Sequence, residues 1–330
     1  MSVQITIIGL GQVGSSIGLA LAGQKNIKRV GHDKDMGVAR ASQKAGAVDE
    51  VKINLPASVS AANVIILSLP LSEIRDTLGY ISQDVQEGTV ILDTAPAKTT
   101  VAAWVSEIIP QGRYYIGLSP AAGADYLHGI DLGVDSARAD LFKNGLFLVN
   151  APSGTPEEAV TLATDLVSLL GAQSLFTDSM EADGLLASTH LLPQLAGAAL
   201  LDATMSEPGW VEARKVAARP YAAVTAAMAY HDEAKSLSDA AFANSTNIVH
   251  MLDSYIASLI KIRHSIANSE QEDLTTLLED AVKARDTWLR ERAEANWTQV
   301  KQDAPDTPTF GEKFNRLFFG NLFSRNKKSK

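Results

Sequence analysis

The sequence predicts an α/β fold, a doubly wound parallel sheet with helices on both faces, followed by an all-helical domain. Three observations support this prediction. An apolar, β-branched run opens the chain at Val3–Ile8 and ends in closely spaced glycines. Short apolar runs then alternate with helix-like stretches through the first half of the chain. After about Asp178 the strand patterns cease and long apolar helical patterns replace them.

The composition limits the class of protein. The chain has 330 residues, 46% of them hydrophobic, which is more than one compact domain needs, so two domains are expected. It has no cysteine, which excludes disulfides, thiolate catalysis and zinc–thiolate sites and suits a reducing cytoplasm. The six histidines follow no metal-binding spacing, so no metal site is expected.

Charge and hydropathy limit the kinds of partner that the chain is expected to bind. The formal net charge of −9 argues against a nucleic-acid partner. We expect no membrane span, because no apolar run reaches the ~18 residues that one requires. The start of the chain lacks the pattern of a signal peptide, so a cytoplasmic location is expected.

The glycines after the first strand follow the spacing of a dinucleotide-binding turn. Gly9 permits the tight turn, Gly11 lets the backbone approach a pyrophosphate, and Gly14 lets the following helix pack closely on the sheet. Gln12 and Val13 lie between them, at the start of a helix rich in small residues whose first N–H groups face the phosphates. This order of strand, turn and helix predicts a Rossmann domain that binds a nicotinamide dinucleotide.

An acidic residue selects between the two nicotinamide cofactors. Asp33 ends the second predicted strand, about two dozen residues beyond Gly9, where a ribose 2′-hydroxyl would be bound. Because a carboxylate repels the 2′-phosphate of NADP, we expect NAD. His32 and Lys34 flank Asp33 and soften this preference, so NADP is the alternative.

The remaining strands complete this domain. Residues 63–70 form a strand that ends at Ser68, Leu69 and Pro70, where the cofactor is expected. Further strands are predicted at residues 89–93, 114–118 and from 147, and a helix at residues 155–170.

The second half is predicted to be helical. Helices are expected at residues 180–205, 220–230, 240–266 and 272–295. We therefore divide the chain into a Rossmann domain (1–177), a helical substrate and dimerisation domain (178–302), and a linker with a basic, Phe-rich tail (303–330). We expect the tail to pack on the helical domain or a second subunit; contact with another partner or a membrane surface is the alternative.

The chain resembles the prephenate/arogenate dehydrogenase family of tyrosine biosynthesis over about residues 3–293. The resemblance rests on the glycine turn and on motifs whose order and spacing agree together. These motifs are Asp93-x-x-x-x-Lys98, Pro120-x-x-Gly123, residues 137–142, residues 170–172, and the stretch from Asp183 to Pro193. The resemblance implies an NAD-dependent dehydrogenase, a small carboxylate substrate and a homodimer formed by the helical domain.

The chain departs from the family at its catalytic positions. Ser119 stands where the family has a histidine before the proline, and Pro96 where it has a serine. Gln194 ends the stretch whose family counterpart ends in histidine. A substrate-binding arginine of the family also lacks a clear counterpart. Because Ser119 has no useful basicity, the loss of that histidine alone should cost on the order of 10²–10⁴ in rate.

Other residues are candidates to take over these roles. We expect His190, one helical turn before Gln194, to supply the base or orient the substrate, with Ser119 and Gln194 as hydrogen-bonding partners. A purely structural histidine is the alternative. For the substrate carboxylate we consider Arg214 and Arg219.

The other candidate residues also have alternatives without a functional role. For Arg214 and Arg219, the alternative is that they lie in a solvated loop. His128 is a further candidate for substrate binding, with solvation as the alternative. Arg138 is expected to tether its loop, with substrate contact as the alternative. Lys98 is expected to be structural, with a position near the nicotinamide as the alternative.

The sequence leaves three functions open. The first is a prephenate or arogenate dehydrogenase. The second is a diverged NAD(P)-dependent oxidoreductase acting on another small carboxylated alcohol or imine. The third is a catalytically silent protein that senses a dinucleotide or acts as a scaffold.

Overall fold

The computed structural model describes residues 2–129, 131–230, 234–295 and 297. Its centre is a sheet of eight strands: β1 Val3–Ile8, β2 Ile27–His32, β3 Glu50–Val51, β4 Val64–Leu67, β5 Val90–Asp93, β6 Tyr114–Ala121, β7 Leu146–Asn150 and β8 Gln173–Phe176. Their spatial order is β3-β2-β1-β4-β5-β6-β7-β8. The first six strands have the order of a doubly wound dinucleotide-binding sheet.

The helices follow the strands and then continue alone. Their bounds are α1 Gln12–Ala20, α2 Met36–Lys44, α3 Leu55–Val59, α4 Leu71–Ile81, α5 Lys98–Ile108, α6 Glu157–Leu169, α7 Ser179–Leu186, α8 Leu192–Met205, α9 Trp210–Val216, α10 Arg219–Thr225, α11 Ala234–Ala243, α12 Ser245–Ala267 and α13 Gln271–Glu294. Past β8 every element of the described residues is helical, so the predicted fold class is confirmed.

One strand pair differs from a fully parallel sheet. β6 and β7 are antiparallel, with Ser119 opposite Leu148 and Ala121 opposite Leu146. Residues 122–145 therefore return to the same edge of the sheet that β6 leaves. This is the carboxyl edge of the parallel strands, where the glycine turn also lies, so the connection forms a wall of the cleft there.

Two hydrophobic clusters cover the two faces of the sheet. One contains Ile17 of α1 and Leu162 and Leu166 of α6 against the strands. The other contains Leu78 of α4 and Leu191 from the helical half. Since C-terminal residues share this second core with the sheet, the helical half is packed directly against the Rossmann half. The division at residue 177 remains our proposal.

A π-helical turn joins α7 to α8. It covers Ala187–Leu191 and ends two residues before Pro193, which lies in the first turn of α8. Proline has no N–H to donate to the carbonyl four residues back, and its ring crowds that carbonyl, which favours a wider turn. The stretch Ser179–Met205 has 27 residues and, by length and composition alone, is long and apolar enough to cross a membrane. This stretch qualifies the expectation that no apolar run reaches the length of a membrane span. It contains two buried polar residues, Asp183 and Gln194.

Several helix bounds differ from those predicted. The expected helix at 240–266 is two helices, broken at Asn244, whose side-chain amide donates to the Asp183 carbonyl at 2.7 Å. The expected helix at 220–230 ends at Thr225 and continues as a 3-10 turn, Ala226–Tyr230. Helix α9 was not predicted. The predicted tail at 303–330 lies outside the described residues.

Candidate functional site

Two of the three glycines in the turn are required by the packing of the backbone. Gly9 has φ +90°, and a Cβ atom there would lie 2.1 Å from the Ser68 carbonyl oxygen. A Cβ atom at Gly14 would lie 2.0 Å from the Gly9 carbonyl oxygen. At Gly11, by contrast, a Cβ atom would meet nothing within 4 Å. The turn therefore packs tightly against β4 and α1 and is open at Gly11, as the approach of a phosphate requires.

The start of α1 is suited to an anion. Gly11 is its N-cap residue and no side chain caps it, so the first N–H groups of the helix point toward the open side. Asp33 lies beside this turn, because its Oδ2 accepts from the Leu10 N–H at 2.7 Å and its Oδ1 from the Asp35 N–H at 2.8 Å. The turn, the open helix end and the carboxylate after β2 together fit a dinucleotide.

A cleft of about 220 Å³ lies over the glycine turn. It brings together six of the nine predicted cofactor residues: Gly11, Gln12, Val13, Ser68, Leu69 and Pro70. Its lining also includes Thr94, Ala95 and Pro96 after β5 and Tyr230 of the helical half. Gly9 and Gly14 lie in the turn beneath the cleft, and Asp33 is beside it.

A larger cavity of about 410 Å³ adjoins this cleft and shares Gln12, Val13 and Tyr230 with it. Its lining combines Pro120 from β6, residues of the connection after β6, and the π-helical turn with the start of α8. Its polar and charged lining residues are Gln12, Tyr126, Asp131, Ser136, Arg138, Thr189, His190, Gln194 and Tyr230. The cavity thus lies between the Rossmann half and the helical half.

The structure brings His190 and Gln194 to the same cavity wall. Gln194 is 2% exposed, and its Nε2 donates to the His190 carbonyl at 2.8 Å, which holds the two residues together across the π-helical turn. Its Oε1 is buried and accepts no hydrogen bond among the described residues. This wall therefore presents an imidazole and an amide to the cavity.

Ser119 lies behind this cavity, one residue before Pro120, which lines it. The side chain is buried, and its Oγ has no hydrogen-bond partner within the described part of the chain. An unpaired buried hydroxyl is costly, so this oxygen is a group that a ligand or water would satisfy. Its role in catalysis stays a prediction.

The connection after β6 is tied over the cavity from both halves of the chain. Gln12 Nε2 donates to the Asp131 carbonyl at 3.1 Å, and the Tyr230 hydroxyl donates to the Gly129 carbonyl at 3.0 Å. Arg292 of α13 donates to the Ala122 carbonyl. Sequence reasoning missed Tyr230 as a wall residue, because residues 226–230 carry no charge or motif that marks them.

The other predicted substrate residues lie elsewhere. His128 is exposed and does not line the cavity, although its neighbours Leu127 and Gly129 do. Arg214 on α9 and Arg219 at the start of α10 are exposed and line neither cavity. Within one chain, Arg214 and Arg219 therefore lie away from both cavities, and their role in substrate binding stays a prediction.

Lys98 has a structural environment, as expected. Its Nζ donates to the Asp93 carbonyl at 2.9 Å, to Asp93 Oδ1 at 3.0 Å and to the Leu118 carbonyl at 3.2 Å, and the residue is 0% exposed. Burial lowers the pKa of Lys98, and the Asp93 carboxylate opposes that shift. The Tyr115 hydroxyl donates to Asp93 Oδ2 at 2.5 Å, and burial raises the pKa of Tyr115 well above its usual value. This network joins β5, β6 and α5 beneath the site.

Among the described residues, no group of three or more His, Asp or Glu side chains is placed to hold a metal ion.

Comparisons with known proteins agree with this geometry. Residues 17–176 match the family model described as prephenate dehydrogenase, nucleotide-binding domain. The chain is 23% identical over 285 residues to a cyclohexadienyl dehydrogenase of Zymomonas mobilis subsp. mobilis, covering 85% of this chain and 94% of that protein. It is 27% identical over 201 residues to a prephenate dehydrogenase of Lactococcus lactis subsp. cremoris, covering 60% of this chain and 53% of that protein.

A solved structure shows the same fold. Prephenate dehydrogenase from A. aeolicus, in complex with hydroxyphenyl propionate and NAD+, superposes with a TM-score of 0.76 at 19% identity, covering 87% of this chain and 98% of that one. The similarity thus extends through both the sheet and the helical half.

Proposed function

We propose that the chain is a member of the prephenate dehydrogenase family, and that it is an NAD-dependent dehydrogenase of tyrosine biosynthesis that oxidises prephenate or arogenate. The observation that carries this proposal is the adjacency of the two cavities. The cleft over the glycine turn and the larger cavity share Gln12, Val13 and Tyr230, so a substrate in the second lies next to a cofactor in the first.

The residues of the cleft fit NAD. The open backbone at Gly11 and the N–H groups at the start of α1 would hold the pyrophosphate, and Asp33 would bind the ribose hydroxyls. When bound, the nicotinamide accepts a hydride from the substrate. Asp33 favours NAD over NADP because its carboxylate repels a 2′-phosphate.

The chain must also hold the proton released by the substrate hydroxyl. We assign this task to His190, because it lines the substrate cavity and no other histidine of the described residues does so. Gln194 positions it through the His190 carbonyl, and the unpaired oxygens of Gln194 and Ser119 offer acceptors near the reacting groups. In this proposal His190, one helical turn before Gln194, is the base in place of the family histidine whose position Ser119 occupies.

The test is the absorbance of NADH produced from NAD with prephenate and, separately, with arogenate. We expect turnover with at least one of them. NADH binding without turnover of either would overturn the substrate assignment and favour the diverged oxidoreductase. Absence of turnover across a wider panel of carboxylated alcohols and imines would leave the silent dinucleotide-binding protein. Failure to bind NADH would overturn the whole proposal.

We further propose a homodimer formed by the helical domain. Exposed apolar side chains lie along α12 and α13, at Val249, Ile256, Leu259, Ile260, Leu278, Val282 and Trp288. Exposed apolar side chains that concentrate on neighbouring helices are typical of a protein interface. Sedimentation equilibrium should give a dimer, and replacing Ile256 and Ile260 by Asp should give a monomer; a monomeric wild type would contradict the proposal.

A cytoplasmic location also belongs to this proposal. The absence of cysteine suits a reducing compartment, and the cofactor and proposed substrates are small soluble molecules. Fractionation of the source cells, with detection of the chain by antibody, tests this location.

A further inference from the structure

Arg138 is held in place at the rim of the larger cavity. Its backbone N–H donates to the buried Ser16 Oγ of α1 at 3.0 Å. Its Nη1 donates to the Asp135 carbonyl at 3.0 Å and to the Ala137 carbonyl at 2.8 Å. The backbone and one edge of the guanidinium are therefore fixed before any ligand binds.

The other edge of this guanidinium is available. Arg138 is exposed and lines the cavity, and its Nε and Nη2 donate to no acceptor among the described residues. A guanidinium with two parallel N–H groups free and its position fixed matches the fork geometry of a carboxylate. Little side-chain entropy remains to be lost on binding, because the backbone carbonyls already hold Nη1.

The charges around the cavity leave this role to Arg138. Among the described residues that line the cavity, no arginine or lysine other than Arg138 is found. The predicted alternatives Arg214 and Arg219 line neither cavity. Asp131 is the acidic lining residue and lies on the same connection after β6. A carboxylate in this cavity therefore has Arg138 as its cationic partner, while Asp131 disfavours a second carboxylate beside the first.

We propose that Arg138 is the residue that binds the substrate carboxylate in the larger cavity. This inference rests on the proposed function, because it takes that cavity as the substrate site. It assigns to the connection after β6 the recognition that sequence analysis sought in the helical half. The ligand class is a small aromatic or cyclohexadienyl acid with one carboxylate at this end.

The test measures binding rather than turnover, so a negative result for Arg138 can be distinguished from a failure of the proposed function. The full chain is saturated with NAD and titrated calorimetrically with 3-phenylpropionate and with its neutral amide, 3-phenylpropanamide. We expect the wild type to bind the acid about 10- to 100-fold more tightly than the amide, since a charge-assisted pair of hydrogen bonds is worth that factor.

The variant Arg138→Gln should remove this preference while amide binding and NADH affinity stay unchanged. Arg75→Gln is the matched control, because Arg75 is an exposed arginine on α4 that pairs with Glu107 outside both cavities. Asp131→Asn should tighten binding of the acid about 2- to 5-fold, since it removes a nearby like charge.

Two results would overturn the inference. One is an acid-over-amide preference that Arg138→Gln retains, which would place the carboxylate elsewhere. The other is binding of neither probe by a wild type that binds NADH, which would exclude this recognition in the cavity. Loss of NADH binding by the wild type would instead count against the proposed function itself.

Discussion

Asp183 of α7 caps helix α5 of the Rossmann half. Its Oδ1 accepts from the Lys98 N–H at 2.6 Å and its Oδ2 from the Thr99 N–H at 3.1 Å, and the residue is 5% exposed. No residue within α5 supplies a side-chain cap, so the cap comes from the other half of the chain. The contact fixes the start of the helical half relative to the strand ends, and α7 leads directly to His190.

We expect Asp183→Ala to lower the free energy of unfolding by about 2 kcal/mol, because the buried Lys98 N–H and the part-buried Thr99 N–H lose their acceptor. Urea denaturation measures this change. Asp183→Asn retains one acceptor oxygen and should lose less. Asp178→Ala is the matched control, since Asp178 caps only its own helix at an exposed position. An equal loss in Asp178→Ala and Asp183→Ala would contradict the role of the contact between the halves.

The glycine turn separates cofactor binding from folding. Gly11→Val should fold normally and weaken NADH binding at least about tenfold, because its side chain enters open space that the pyrophosphate needs. Gly14→Ala should instead destabilise the fold, since its Cβ atom would meet the Gly9 carbonyl at 2.0 Å. Thermal unfolding and NADH fluorescence, measured on both variants, distinguish the two effects. Unaltered NADH affinity in Gly11→Val would exclude this turn as the phosphate site.

The buried ion pair beneath the site should be sensitive to loss of one partner. Lys98→Met leaves the Asp93 carboxylate buried without its cation and is expected to cost about 3–5 kcal/mol. The double variant Lys98→Met, Asp93→Asn removes the buried charge and should recover part of that loss. Denaturant titrations of both variants test the coupling. A double variant less stable than Lys98→Met would show that the pair is not the origin of the loss.

His190→Ala should reduce kcat on the accepted substrate by about 10²- to 10⁴-fold, because the site loses its base. NADH affinity and the unfolding temperature should stay near wild type, since His190 lines the substrate cavity and not the cofactor cleft. His264→Ala is the control, at the exposed end of α12. Steady-state kinetics across pH complete the test, and a wild-type kcat in His190→Ala would remove this residue from the mechanism.

The predicted fold agreed with the structure because its signals are local. Each glycine role, each buried strand and the helical second half follow from a few consecutive residues, whose backbone geometry and apolar periodicity decide the element. Where the decisive interaction is distant, the prediction failed. The break at Asn244 depends on a hydrogen bond to Asp183, which is 61 residues away in sequence.

The candidate site was predicted unevenly for the same reason. The residues at the glycine turn and after β4 were found together, because they belong to one recurring strand–turn–helix unit. Tyr230 and Arg138 were missed as wall residues, since their position depends on the antiparallel return of β7 and on packing between the two halves. Exposed charges such as Arg214 carry no sequence signal of whether a cavity lies beside them.

By itself, therefore, the sequence determined that the first half is a dinucleotide-binding sheet, because glycine conformations and strand periodicity are local properties. Only the tertiary structure decided what lies opposite the cofactor. The wall of the larger cavity joins residues from β6, its following connection and the π-helical turn before α8. Such a wall forms from long-range packing of the two halves, which no single stretch of the chain encodes.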